Sequence, residues 1–415
     1  DGVNSRRSAA IPMSRFGKAV LLCLALFAAW RLCSTLFTAA LPGPRADPAE
    51  GSDASCLPLA REVGVRAAAG TGSNFVFSPL SIHAALAMVS SGQRRSTSCT
   101  ARRPTSSSAG STAWRRRPSP AACGSTGGWR SGQSSRPPAR RYGATAESVD
   151  FVSGAEQARL RVNTFVADAT KQLIRDLLPP GSVDSTTVVV LANALYFKGV
   201  WSHPFDVFTA PFHVPGDTTV GVPSMTTGRS QYIALYPGFR ALKLPYKNDA
   251  WQADEYMLIL LPDGGTLSLA DLYDKAVSTP EFIRKHTPVE EVPVGRVMVP
   301  KFKFTFGFKA SSDMQKLGVT RAFSGGDFSG MVSGGDGHGR VSISRVYHKA
   351  TIEVDEQGTV AAAATVILLD GAALEESKPP HLVDFVADRP FLFAVVEERT
   401  GAVLFLGHVV NPLSI

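Results

Sequence analysis

Enzyme signatures are missing from this sequence. It has no G-x-S-x-G elbow, no H-E-x-x-H, no C-x-x-C, no G-x-x-x-x-G-K-[ST] and no G-x-G-x-x-G after a strand. The familiar nucleophile, zinc, redox and nucleotide motifs are therefore excluded. Eight histidines are scattered without metal-ligand spacing. No catalytic residue, no metal and no cofactor is expected. Five cysteines, an odd number, do not make a disulfide scaffold. Long apolar runs are also scarce. Only residues 19–30 form one, which excludes a polytopic membrane protein.

What is present is ample for a core. The 415 residues are 44% hydrophobic and 19% charged, enough for one large domain or two to three ordinary ones. The formal net charge of +8 would suggest an acidic partner, so its location matters. Residues 93–141 hold 11 arginines and 11 serines, with no Lys, Asp, Glu, Leu, Ile, Val or Phe. That leaves 32 of the 43 Lys and Arg for the rest of the chain, against 35 Asp and Glu, a net of −3. The basic character belongs to one stretch. It reads as a disordered RNA-binding insert, as a long solvated loop, or as a translated wrong frame. Suitable GC-rich codons for residues 94–99, read two bases later, give Ala-Ile-Asp-Glu-Leu. The same shift over 129–136 gives Ala-Leu-Gly-Ala-Val-Val-Ala. The wrong frame is the favoured reading.

The first 53 residues read as a leader and linker. Met13-Ser-Arg-Phe-Gly-Lys18 is basic, residues 19–30 are apolar, and Thr38-Ala39-Ala40 are small. This is the order of a secretory signal peptide or signal anchor, with a core helix as the other reading. Extracellular secretion is expected if it functions, a cytoplasmic location otherwise. Cys23 and Cys33 lie in the leader and Cys99 and Cys123 in the Arg-rich stretch, leaving Cys56 for the body.

The body, 54–412, reads as α+β. Residues 55–69 have helical spacing, 74–79 a short strand, and 81–90 an alanine-rich helix capped by Ser81. Residues 155–178 read as an amphipathic helix with Leu160, Phe165, Leu173, Ile174 and Leu177 in its apolar set. Residues 186–197 read as a strand buried on both faces. Short strands are expected at 212–214, 232–235, 241–244 and 256–261. A long strand spans 294–306, with Phe302, Phe304 and Phe306 on one side and Lys301, Lys303 and Thr305 on the other. A short helix at 313–317, a strand at 342–353 and a hairpin from 391–396 to 402–410 complete the pattern.

The informative segment is 353–390. A strand leads to Gly358, which permits a reversal of direction. Residues 359–365 are small and uncharged, and a polar loop follows. Such a run can join a β-sheet without burying charge. An ordinary alanine-rich helix is the other reading of the same residues.

The segment has company. Asn74-Phe-Val-Phe-Ser-Pro-Leu-Ser-Ile82, Leu191-Ala-Asn-Ala-Leu-Tyr-Phe-Lys-Gly199 with Trp201, Val299-Pro-Lys-Phe-Lys303, His348-Lys-Ala-Thr-Ile-Glu-Val-Asp-Glu-Gln-Gly358, Phe385-Val-Ala-Asp-Arg-Pro-Phe-Leu-Phe393 and Phe405-Leu-Gly-His-Val-Val-Asn-Pro412 together resemble the serpin family, its plant branch in particular. The resemblance implies a serpin fold of large mixed sheets, surrounding helices and an exposed reactive loop, in one domain interrupted by 93–141. That stretch stands where the family has three helices and strand 2 of its main sheet, so the sheet is expected to be incomplete.

The resemblance also implies function. The chain would be a suicide inhibitor of serine proteases, whose cleaved loop inserts between strands 3 and 5 of the main sheet. Glu356, Gly358, Thr359, Ala361, Ala362, Ala363 and Ala364 would form the hinge. The scissile bond would lie at about Ala372–Ala373, within a window from Leu369 to Leu374. Small or apolar residues there suit elastase-like or chymotrypsin-like proteases, with a cysteine protease as a further option. Ser78, Ser81, Asn193 and His348 would form the hydrogen-bonded shutter, and Trp201, Lys301 and Glu356 the breach. The expected protein is a monomer with a protease partner, without nucleic acid or stable membrane insertion. A defective or non-inhibitory serpin acting as a binding module, and an Arg/Ser-rich nucleic-acid binder, are the competing functions.

Overall fold

A computed structural model describes residues 58–67, 73–83, 149–187, 189–197, 199–247, 255–324, 342–357 and 382–414. Packing divides the chain into two compact units. One comprises Asp1–Pro42, Met88–Val190 and Gly325–Ser344, the other Gly43–Ala87, Leu191–Ser324 and Arg345–Ile415.

In the first unit the main described element is helix α1 (Phe151–Ala169). Asp150 caps its start by accepting hydrogen bonds from the Val152 and Ser153 amides at 2.9 and 3.1 Å. The helix ends at Thr170, followed by Lys171 and Gln172 in the left-handed region at φ 52° and 66°. It therefore stops nine residues before the end expected from the apolar spacing. Ile174 and Leu177 are buried from an irregular tail rather than from a helix face. Leu160 and Phe165 are exposed, and two polar residues take the inner positions. Buried Arg159 and Asn163 donate to the Leu178 carbonyl at 2.8 and 3.0 Å, and the Leu178 amide returns a bond to Asn163 Oδ1 at 2.8 Å. These bonds satisfy a backbone turn that would otherwise be buried unpaired.

The second unit holds most of the strands. A seven-stranded sheet combines β1 (Phe75–Phe77), β5 (Gln231–Tyr236), β6 (Phe239–Pro245), β7 (Glu255–Pro262), β8 (Glu291–Val292), β13 (Phe391–Glu397) and β14 (Val403–Val409), in the order β1-β14-β13-β7-β6-β5-β8. A four-stranded sheet runs β12 (Val383–Val386), β9 (Val294–Pro300), β4 (Thr218–Thr226), β3 (Asp206–Val214). A three-stranded sheet runs β10 (Phe302–Lys309), β11 (Arg345–Val354), β2 (Val190–Phe197).

The core forms where β10 lies over the large sheet. Its alternating phenylalanines share one face. Phe302 packs 5.5 Å from Phe393, Phe304 6.4 Å from Phe393, Phe306 4.9 Å from Phe75 and Phe308 6.4 Å from Phe77. Phe302 and Phe304 are buried, each contributing on the order of 2 kcal/mol, while Phe306 and Phe308 are half-buried and contribute less. β13 and β14 are buried along their whole length, as strands covered on both faces must be.

Gly407 on β14 lies between Val76 and Phe393. A Cβ there would stand 2.2 Å from the Phe75 carbonyl oxygen and 2.6 Å from the Phe393 ring. The first neighbour is backbone and cannot swing away. Gly407→Ala is therefore expected to cost about 3 kcal/mol and to lower the thermal midpoint by roughly 4 °C. Calorimetry of the variant checks this, and a wild-type midpoint would refute the close approach.

Two expectations about strands are corrected. The strand expected over 294–306 is two strands in different sheets, broken at Lys301. The alternation of side chains runs through the break, but Pro300 cannot continue a ladder and the Lys301 amide turns to the Pro223 carbonyl at 2.8 Å. The apolar run over 186–197 is not buried on both faces. Only Leu191 and Phe197 of β2 are buried, because β2 ends its sheet among the described residues.

Candidate functional site: the exit of strand β11

The residues singled out as breach and shutter all lie in the second unit, around β11. Its ladder with β10 is continuous over eight pairs, from Phe302↔Val354 to Lys309↔Tyr347. Side chains reinforce it. Lys303 pairs with Glu353 at 2.8 Å, and the Thr305 and Thr351 hydroxyls meet at 2.7 Å. β11 is thus fastened firmly to β10, with β2 as its neighbour on the other side.

At the end of β11 the chain is held by three contacts. The Trp201 indole N–H donates to the Asp355 carbonyl at 2.6 Å. The Phe205 amide donates to the Glu356 carbonyl at 3.0 Å. Lys301 Nζ stands 2.5 Å from Glu356 Oε2. The break between β9 and β10 is what aims Lys301 at this spot. Contact with Lys301 holds the Glu356 carboxyl below the ordinary range. Both side chains of the pair are about three-quarters buried (29% and 25% exposed), so salt screens them less than an open surface pair. Trp201 therefore grips the residue before Glu356 rather than Glu356 itself. Phe205 binds the Glu356 carbonyl, and Pro223 the Lys301 amide, through backbone atoms, which no side-chain pattern in the sequence reveals.

The shutter residues divide. Ser81 Oγ donates to Asn193 Oδ1 at 2.6 Å, and Asn193 Nδ2 donates to the Ser81 carbonyl at 3.0 Å. Ser78 Oγ accepts from the Ser81 amide at 3.4 Å. Helical structure begins at residue 79, so Ser78 rather than Ser81 occupies the capping position. The residues of the expected helix beyond 83 lie outside the described residues.

His348 does not join this network. It is 1% exposed, its ring sits 5.5 Å from both Phe77 and Phe308, and neither ring nitrogen has a hydrogen-bond partner. Burial among these rings depresses its pKa to about 3, so the imidazole is neutral. The expectation of a four-residue hydrogen-bonded shutter is corrected accordingly.

The remaining hinge residues Gly358, Thr359, Ala361, Ala362, Ala363 and Ala364, and the window Leu369–Leu374 with Ala372 and Ala373, lie outside the described residues. Among the described residues, no group of three or more His, Cys, Asp or Glu is placed to hold a metal, and no helix is long and apolar enough to cross a membrane.

A family model described as serpin (serine protease inhibitor) matches residues 138–412. The chain belongs to the serpin family. It is 56% identical over 404 aligned residues to serpin-Z12 of Oryza sativa subsp. japonica, covering 88% of this chain and 92% of that one. It is 45% identical over 281 residues to serpin-ZXA of the same organism, covering 66% and 68%. Its fold is similar to that of the Arabidopsis serpin AtSerpin1 in the native stressed conformation, with a TM-score of 0.70 and 31% identity over 89% of this chain and all of that one. This serpin is a serine protease inhibitor of the plant type, and it acts by the serpin mechanism.

Proposed function

We propose that this serpin traps elastase-like or chymotrypsin-like serine proteases by offering the bond at about Ala372–Ala373. The protease serine attacks the Ala372 carbonyl carbon, the peptide bond to Ala373 breaks, and the new amine leaves with a proton. The serpin stays attached through an ester. The hinge from Gly358 to Ala364 then enters the sheet between β11 and β2, releasing stored strain, for which the handling of the serpin loop is a known example. Deacylation is blocked by the displacement this imposes on the protease.

The observation that carries the reading is the three-fold hold on Asp355 and Glu356. It fixes the point from which the loop must reverse, while β11 stays locked to β10. The residues that follow are small and uncharged. An SDS-resistant complex with elastase or chymotrypsin is expected at near-equimolar stoichiometry. The mass of the released C-terminal fragment should place the cut between Leu369 and Leu374. Quantitative loop cleavage by these proteases without a complex would contradict the assignment of the target class.

We also read residues 13–40 as a secretory leader and 93–141 as a wrong-frame translation. The family match begins at residue 138, near the end of the Arg-rich stretch, which supports the second reading. N-terminal sequencing of secreted protein and sequencing of the transcript across codons 93–141 test the two.

A further inference from the structure

We propose that Tyr246, acting through Trp201, is a positioning residue for loop insertion. Trp201 belongs to none of the strands; it makes a single bridge to Tyr246. Something other than a ladder must therefore fix its indole, whose one polar group is spent on the Asp355 carbonyl.

Tyr246 meets that need. Its ring stacks on the indole at 4.5 Å and 9°, while Phe205 meets the indole edge-on at 6.0 Å. The tyrosine is itself locked. It is 6% exposed, its amide donates to the Glu255 carbonyl at 2.9 Å, and its ring meets Phe197 at 5.2 Å and 68°. Backbone bonds from Ser202 to Pro245 (3.0 Å) and from Lys247 to Val200 (2.6 Å) tie the two segments on either side of the stack. Gly199 leaves room for the ring, since a Cβ there would stand 2.4 Å from it. The aromatic face thus sets the indole plane, and the indole sets the position of Asp355 at the exit of β11.

The physical consequence follows from competition. After acylation, insertion races against hydrolysis of the ester. If the indole rotates, Asp355 loses its anchor, the pivot is poorly placed, and insertion slows. More serpin is then turned over as plain substrate for each protease trapped.

The test uses the full chain and whichever of elastase or chymotrypsin the wild type traps. Tyr246→Leu is expected to raise the number of serpin molecules consumed per protease roughly 5-fold, the factor that one lost aromatic stack is worth. Tyr246→Phe, which keeps the ring, should restore the wild-type value. Trp201→Phe, which removes the indole N–H, should give a similar rise. The double variant Trp201→Phe/Tyr246→Leu should add nothing further. A cooperative thermal melt confirms that each variant is folded. Should Tyr246→Leu not fold, Tyr246→Met keeps the volume without the ring face and takes its place.

This proposal rests on the trapping mechanism above. A wild-type complex with unchanged stoichiometry in the folded leucine variant overturns the positioning role alone, as does additivity in the double variant. Absence of any wild-type complex overturns both.

Discussion

Proline at position 363 is expected to abolish the covalent complex while leaving the reactive loop cleavable. Ala363 lies in the small-residue run that, in the mechanism proposed above, becomes a strand between β11 and β2. A strand in that place has neighbours on both sides, so its amide is needed whichever way its side chain points. Proline has no amide hydrogen and its ring disrupts the ladder. The cost is about 3 kcal/mol or more, which converts to about a hundredfold shift from trapping towards hydrolysis. Ala363→Ser, which keeps the amide and adds little volume, should remain an inhibitor. Gel analysis after mixing with elastase or chymotrypsin separates the outcomes. A complex of undiminished yield from the proline variant would mean that this part of the loop does not insert.

Acid destabilisation is the second large effect. Burial depresses the pKa of His348 to about 3 and that of His408 to about 4. In the unfolded chain both titrate near 6.5. Below that pH the unfolded state takes up protons that the folded state refuses, so stability is lost as pH falls from 6.5 towards those values. Each histidine contributes a slope of up to about 1.4 kcal/mol per pH unit. Glu255 works in the opposite sense. Burial, and then the charge of Glu397 directly across the β7–β13 ladder, raise its pKa to about 7. It binds its proton more tightly when folded, and therefore adds stability as pH falls from 7 to 4.5. The two histidines outweigh the one carboxylate, and below pH 4.5 they act unopposed.

The diagnostic variant is His348→Phe, which places a third ring beside Phe77 and Phe308. Its absolute stability depends on how well the extra atoms pack, but its slope does not. Between pH 6 and 4.5, urea unfolding is expected to show a dependence on pH shallower by about 1.4 kcal/mol per unit than in the wild type. Parallel slopes would show that His348 is protonated in the folded protein.

How much of this was legible in the sequence varies with the range of the interaction. The hairpin of β13 and β14 and the strand β11 follow from local apolar patterning, and the structure places them within one to three residues of expectation. The pairing of Lys301 with Glu356 was legible only as part of the family resemblance, since the residues are far apart in the chain. The break at Lys301 was hidden because phenylalanines alternate straight through it, and only Pro300 marks the change of sheet. Strand β4 carries no clear strand pattern in the sequence. Gly221 and Pro223 lower its intrinsic strand preference, and a full-length ladder with β3 overrides that. The early end of α1 was equally hidden, because lysine and glutamine, not glycine, take the left-handed positions. Tyr246 carries no motif at all. Its role emerges only when the chain brings it face to face with Trp201.

Hydrogen exchange read by mass spectrometry on the peptide spanning residues 359–371, before and after cleavage of the loop, tests the central claim most directly. An amide in the middle of a paired sheet exchanges only through opening of that sheet, whereas a free loop exchanges at once. The account predicts fast exchange in the intact protein and strong protection after cleavage, with protection rising in β2 and β11 as well. Fast exchange of the peptide in both forms, with β2 and β11 unchanged, would contradict it.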